Sequence, residues 1–159
     1  MKKNLTKQSG FTLIELVIVI IVLGILAATA APKFIDLQSD AKKSALNGLK
    51  AAFEGGATLT YSKAAIAGKE KVGDTTVSIN GVDVGIAYGY PKANETELKK
   101  AVDLSTGDWA FGTASGSPAS IEIYAVDTPS ASVATCSVKY TQAAASNARP
   151  TIAATSTGC

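Results

Sequence analysis

Hydrophobic and polar positions divide this chain into three patterns. From Phe11 to Ala31 nearly every residue is apolar, and Glu15 is the one charge. Read as a helix, about 21 residues rising about 1.5 Å each span roughly 31 Å, the thickness of a bilayer's hydrocarbon core. Beyond Pro32 the pattern becomes amphipathic. Ile35, Leu46, Leu49 and Phe53 recur at helical period on one face, and Lys33, Asp36, Asp40, Lys42, Lys43 and Lys50 fall on the other. Asp40 and Lys43 are spaced i,i+3, and Lys50 and Glu54 i,i+4, as exposed helix pairs. Gly55-Gly56 weakens the helix without ending it, and Gly68 caps it after Ala67. The whole element would be roughly 85 Å long if continuous. Pro32 removes a backbone donor and crowds the turn near Ala28, so a kink or local break is expected there. Gly24 weakens the helix upstream.

The third pattern is short alternation punctuated by turn residues. Thr75–Ile79 and Val82–Val84 flank Asn80-Gly81, a hairpin signal. Gly85 to Pro91 reads as a loop with two tyrosines, Tyr88 and Tyr90, placed for packing or for stacking on a sugar ring. Asn94 followed by Glu97 resembles a capping box opening a short helix through Leu98 and Val102. Trp109–Phe111, Ala119–Val126 and Val133–Thr141 read as three strands of an antiparallel meander, with Thr151–Ala153 as an edge strand. A small sheet needs a partner, so one face should pack on the C-terminal half of the long helix. The fold class is therefore α+β, a long N-terminal helix on a small antiparallel sheet.

A generic apolar run of this length is a signal anchor. This one is too long for the apolar core of a signal peptide, and no small-residue cleavage site follows it. It also carries Glu15. An unpaired charge in hydrocarbon costs at least about 2.5 kcal/mol, so the carboxylate needs a partner. Cutting between Gly10 and Phe11 would create an α-amino group four residues before Glu15. That cation could neutralise it within one chain or between neighbours.

Lys2, Lys3 and Lys7 in a short polar leader, then Gly10-Phe11-Thr12-Leu13-Ile14-Glu15, the apolar helix and Pro32, resemble a type IV pilin of the short-leader class. The resemblance implies a leader over residues 1–10, a membrane and assembly helix over 11–31, and a pilin head over 32–159. It implies cleavage after Gly10 by a prepilin peptidase and N-methylation of Phe11 by the same enzyme. Assembly would rest on Thr12, Glu15, Gly24 and Pro32. Glu15 of one subunit would meet the Phe11 amino group of its neighbour, and the section from Gly24 to Ala31 would unwind in the filament. The partners implied are identical subunits, the inner membrane and the inner-membrane assembly machinery. Shorter stretches, among them Lys63–Ala67, Tyr88–Pro91, Asp108-Trp109, Cys136–Thr141 and Gly158-Cys159, resemble the mannose-sensitive haemagglutinin type. That narrower resemblance implies surface attachment, biofilm formation and a carbohydrate receptor for a Gram-negative bacterium. A minor pilin or a secretion pseudopilin is the alternative.

Charge and cysteines fit export. The 159-residue chain carries 15 Lys plus Arg against 13 Asp plus Glu, and three of the lysines lie in the leader. Lysines there keep the N-terminus cytoplasmic and send the remainder outward. What remains is nearly neutral, which does not favour nucleic acid. Outside the cell, Cys136 and Cys159 read as one disulfide closing a loop of about 24 residues, worth roughly 3 kcal/mol on the loop-entropy model. In the pilins such a bridge encloses the C-terminal D-region. The chain has no histidine, no phosphate-binding glycine loop and no nucleophile with a base. No enzymatic activity, cofactor or metal is therefore expected; two thiolates alone seldom hold zinc. Glu122 and Asp127 are the only acids after Trp109, too sparse for a calcium cage.

Overall fold

A computed structural model describes residues 10–105 and 107–159, with the backbone alone for residues 34–36. The leader residues 1–9 and the side chain of Ile35 lie outside the described set. The element order is α1 (Leu13–Ile66), β1 (Thr75–Ile79), β2 (Val82–Ala87), β3 (Tyr90–Pro91), α2 (Glu95–Ala101), β4 (Trp109–Phe111), β5 (Ser120–Ala125), a 3₁₀ helix (Ser130–Thr135), β6 (Ser137–Thr141) and β7 (Thr151–Thr155). The chain divides into two compact units between Ser39 and Asp40.

The first unit is helix. Its side chains from Leu13 to Leu26 are exposed, and it is long and apolar enough to cross a membrane. Of the kink or local break expected at Pro32, a break is not found: helical structure continues through it. Proline removes only its own donor, so one missing bond leaves the flanking turns intact.

The second unit begins with residues 40–66 of α1. Leu46, Leu49, Phe53, Ala57, Thr60 and Ala64 are buried, at spacings of three and four that make one stripe. That stripe meets two antiparallel sheets where one was expected. β1-β2-β3 form the first and β4-β5-β6-β7 the second, each in sequence order. Leu46, Leu49 and Phe53 pack with Leu98 of α2 and with Ile121, Ile123, Val138 and Tyr140 of the second sheet. Ala64 packs with Val77, Val84 and Ile86 of the first. Ile121 and Ile123 share the buried face of β5, as alternation predicts. This is the α+β arrangement expected of a pilin fold.

Two segments differ from their reading. Gly85 to Pro91 is not a loop: β2 runs on to Ala87, and β3 pairs back on it, with Ala87 opposite Tyr90. Tyr88 and Gly89 turn the chain with φ of 52° and 86°, the same double positive φ as Asn80 and Gly81 at 52° and 83°. Both are two-residue hairpin turns that need positive φ. Tyrosine seldom adopts that conformation, so the second turn carries no usual sequence signal. Residues 133–135 are not strand either. They close a 3₁₀ helix, and the strand starts at Ser137 after the bridged Cys136. The edge strand is present and longer than expected, pairing Thr151–Thr155 with Ser137–Thr141.

Candidate functional site

Gly10, Phe11 and Thr12 lead into α1, and Glu15 lies in its first turn. Thr12 precedes the helix, and its hydroxyl accepts from the Glu15 N–H at 3.3 Å. The Glu15 carboxylate reaches back, and its Oε2 accepts from both the N–H and the hydroxyl of Thr12, each at 2.7 Å. This reciprocal pair is a capping box, Thr-x-x-Glu, satisfying two donors at the helix start. The spacing Thr12-x-x-Glu15 is the sequence signal for it, so Glu15 is a capping residue as well as a charge needing a partner. Among the described residues Oε1 has no hydrogen-bond partner, so one carboxylate oxygen is held within the chain and the other points to no internal donor. Phe11 is 92 % exposed, and Gly10 before it is exposed as well.

Farther along, Gly24 and Pro32 are both exposed. A Cβ at Gly24 would meet nothing, so no packing within this chain requires glycine there. The Thr29 hydroxyl donates to the carbonyls of Leu26 at 3.0 Å and Ile25 at 3.5 Å. Hydroxyl back-bonding of this kind competes with the helical ladder. Glycine, threonine and proline thus weaken one stretch of α1.

In the second unit Cys136 and Cys159 form a disulfide with Cα atoms 5.0 Å apart. It closes the segment holding β6 and β7. The Gly158 N–H donates to the Thr135 carbonyl at 3.0 Å. A Cβ at Gly158 would collide with the Thr135 side chain, so the last turn before the bridge requires glycine. The tyrosines of the second hairpin serve packing. The Tyr61 and Tyr90 rings stack with centroids 4.8 Å apart, and Tyr88 packs against their cluster with Ala57 and Ala143.

Polar pairs partly follow the sequence. Asp40–Lys43 and Lys50–Glu54 bridge at 3.4 and 3.7 Å. Asn94 caps α2, its Oδ1 accepting from the Glu97 N–H at 2.9 Å. The reciprocal half of that box is diverted, because the Glu97 carboxylate accepts instead from the Gly85 N–H of β2 and from Lys100. Two relations had no local signal. Lys42 meets Asp127 at 2.9 Å, and the hydrogen bond and charge of Lys42 hold the Asp127 carboxyl below its ordinary range. A Cβ at Gly56 would lie 2.8 Å from the Ala101 carbonyl oxygen, so α2 ends directly on α1. Among the described residues no three acids or cysteines group as metal ligands.

Comparison with known proteins matches the start of the chain to a motif and longer stretches of it to two relatives. The prokaryotic N-terminal methylation motif matches residues 5–31. The type IV major pilin protein PilA of Myxococcus xanthus is 38 % identical over 103 residues, covering 62 % of this chain and 44 % of that protein. The type IV narrow pilus major component PilA5 of Thermus thermophilus is 48 % identical over 46 residues, covering 29 % of this chain and 40 % of that one. The chain thus spans less than half the length of the curated relatives it matches. No solved structure matches it. With its exposed apolar helix and its capped Glu15, the chain carries a prokaryotic N-terminal methylation motif and is similar over part of its length to two type IV pilus major components.

Proposed function

We propose that this chain is the structural subunit of a type IV pilus, not an enzyme, and that it polymerises through α1. The observation carrying this reading is the exposed apolar helix from Leu13 to Leu26, headed by Glu15 and lying inside the methylation motif. Such a surface is stable in only two surroundings, lipid or a bundle of like helices. The precursor waits in the inner membrane as a single-pass helix. A prepilin peptidase cuts after Gly10 and methylates the Phe11 amino group. The helix then passes from lipid into the filament core, so its apolar burial is kept. Glu15 remains capped by Thr12 through Oε2, and Oε1 meets the Phe11 ammonium of a neighbour. The segment from Gly24 to Ala31 unwinds as the helices pack. A pilus of the mannose-sensitive haemagglutinin type, serving adhesion and biofilm formation on a Gram-negative cell, fits the shorter sequence resemblances.

Mass spectrometry of the fraction sheared from the cell surface tests this. The expected species starts at Phe11, is one methyl group heavier than encoded residues 11–159 and lacks two hydrogens for the disulfide. A chain keeping residues 1–10 and staying in the membrane pellet overturns the reading.

A further inference from the structure

A recess of about 460 Å³ opens on the second unit between α1, β3 and the segment joining β6 to β7. Thr58 and Tyr61 line it from α1, three residues apart, and Tyr90 lines it from β3. On the far side the Ala148 N–H donates to the Ala145 carbonyl at 3.0 Å. This closes a turn with Ser146 and Asn147 at its corner and the exposed Arg149 just beyond. The tyrosine wall is fixed. The Tyr61 and Tyr90 rings stack, and a Cβ at Gly89 would lie 2.7 Å from the Tyr61 ring. The polar ends are free. Among the described residues the Tyr61, Tyr90 and Ser146 hydroxyls, the Asn147 side-chain amide and the Arg149 guanidinium have no hydrogen-bond partner. Tyr90 is only 7 % exposed, and a phenol so buried ordinarily bonds within the fold. Among the described residues the sealed, unpartnered side-chain atoms are Glu70 Oε2 and Thr128 Oγ1, so the Tyr90 hydroxyl is reached from solvent.

Those groups specify a ligand. Arg149 is the only arginine in the chain and makes no ion pair among the described residues. Its planar fork matches a carboxylate. Among the described residues no carboxylate lines the recess. A neighbouring groove shares Thr58, Tyr90 and Arg149 and adds Glu54, which Lys50 bridges at 3.7 Å. One cation with an acid close by suits a single negative charge and disfavours a dianion such as phosphate. The other groups are hydroxyls and an amide, which both donate and accept. The Thr58 hydroxyl donates to the Glu54 carbonyl at 2.8 Å and keeps its oxygen free to accept. A neutral sugar would use these groups and leave Arg149 idle, whereas a sugar acid uses all of them. We propose that the recess binds the uronate unit of an acidic polysaccharide, its carboxylate on Arg149 and its hydroxyls on Ser146, Asn147 and the two phenols. Polymerisation through α1 is not required for this binding.

The test is titration of the full chain in detergent with digalacturonate, its neutral counterpart galactobiose, and inorganic phosphate, followed by ligand-observed NMR. The Cys136–Cys159 bridge and circular dichroism report folding in every variant. Digalacturonate is expected to bind saturably, and galactobiose at least about tenfold more weakly, the worth of one charge-assisted hydrogen bond. Arg149→Gln should weaken digalacturonate by the same factor and leave galactobiose unchanged. Asn147→Asp sets a like charge in the recess and should weaken digalacturonate independently. Both side chains are exposed, so neither change burdens the core. Glu54→Gln should leave digalacturonate binding intact or tighten it. No saturable binding, equal binding of galactobiose, or unchanged affinity in Arg149→Gln or Asn147→Asp overturns the proposal. Displacement of digalacturonate by an equal concentration of phosphate would reveal a bare anion site and overturn the sugar class. Loss of binding in Glu54→Gln would move the ligand to the neighbouring groove and overturn the recess.

Discussion

The Tyr140 hydroxyl donates a 2.8 Å hydrogen bond to the Pro91 carbonyl, joining β6 of the second sheet to β3 of the first. Both residues are buried, and the Tyr140 ring also meets Phe53 of α1 with centroids 6.1 Å apart. Tyr140→Phe keeps the packing and strands a buried carbonyl, at a cost of about 1–3 kcal/mol. Thermal unfolding of the full chain in detergent should show a lowered midpoint, and an unchanged midpoint would refute the link.

The same phenol fixes an alkaline limit. Burial, reinforced by Tyr90, pushes its ionisation well above the ordinary value near 10. Above pH 10 the unfolded chain loses this proton and the folded one keeps it. The contribution is therefore complete below about pH 10 and is lost as pH rises beyond it. Denaturant midpoints measured from pH 9 to 11 should fall more steeply for wild type than for Tyr140→Phe.

Adjacent glycines of α1 should respond with opposite sign. A Cβ at Gly55 would meet nothing, so Gly55→Ala gains helix propensity and stabilises by up to about 1 kcal/mol. At Gly56 the added methyl meets Ala101 and Val102, so Gly56→Ala destabilises by about 1–3 kcal/mol despite the same gain. Equal shifts in unfolding midpoint for the two variants would contradict the close approach of α2.

The disulfide closes its loop across a sequence separation of 23. Cys136→Ser with Cys159→Ser should cost about 3 kcal/mol, the loop-entropy value for this length. Protease susceptibility should rise first in residues 142–150, between β6 and β7. Wild-type stability in the double variant would mean that packing alone holds the C-terminal strand.

At the N-terminus the capping box separates two roles of one side chain. Glu15→Gln keeps an acceptor for Thr12 but loses the charge. The helix should still insert in the membrane while filament yield collapses. Thr12→Val removes the hydroxyl half of the box, with a helix-start cost of about 1 kcal/mol. Full filament yield from Glu15→Gln would show that capping, and not charge, is why the carboxylate is there.

Local chemistry was enough to read the apolar run, the carboxylate within it, the amphipathic stripe of Leu46, Leu49 and Phe53, the Asn80-Gly81 hairpin and the Asn94 cap. Each is a spacing or a dipeptide whose preference is set by the backbone within a few residues. The cysteine pair was read from count and export, and the two residues are bonded. What depended on distant parts of the chain was illegible. Tyr88 takes a conformation it seldom adopts, with its side chain packed on the cluster of Ala57, Tyr90 and Ala143. Glu97 abandons its own cap for Gly85, and Gly56 is a point of approach, not just a weak helix residue. Arg149 lines a groove against Leu59, 90 positions away in the sequence. Periodicity says which face of an element is buried. Only the tertiary structure decides what each face is buried against, because that choice minimises unpaired polar groups and empty space over the whole fold at once.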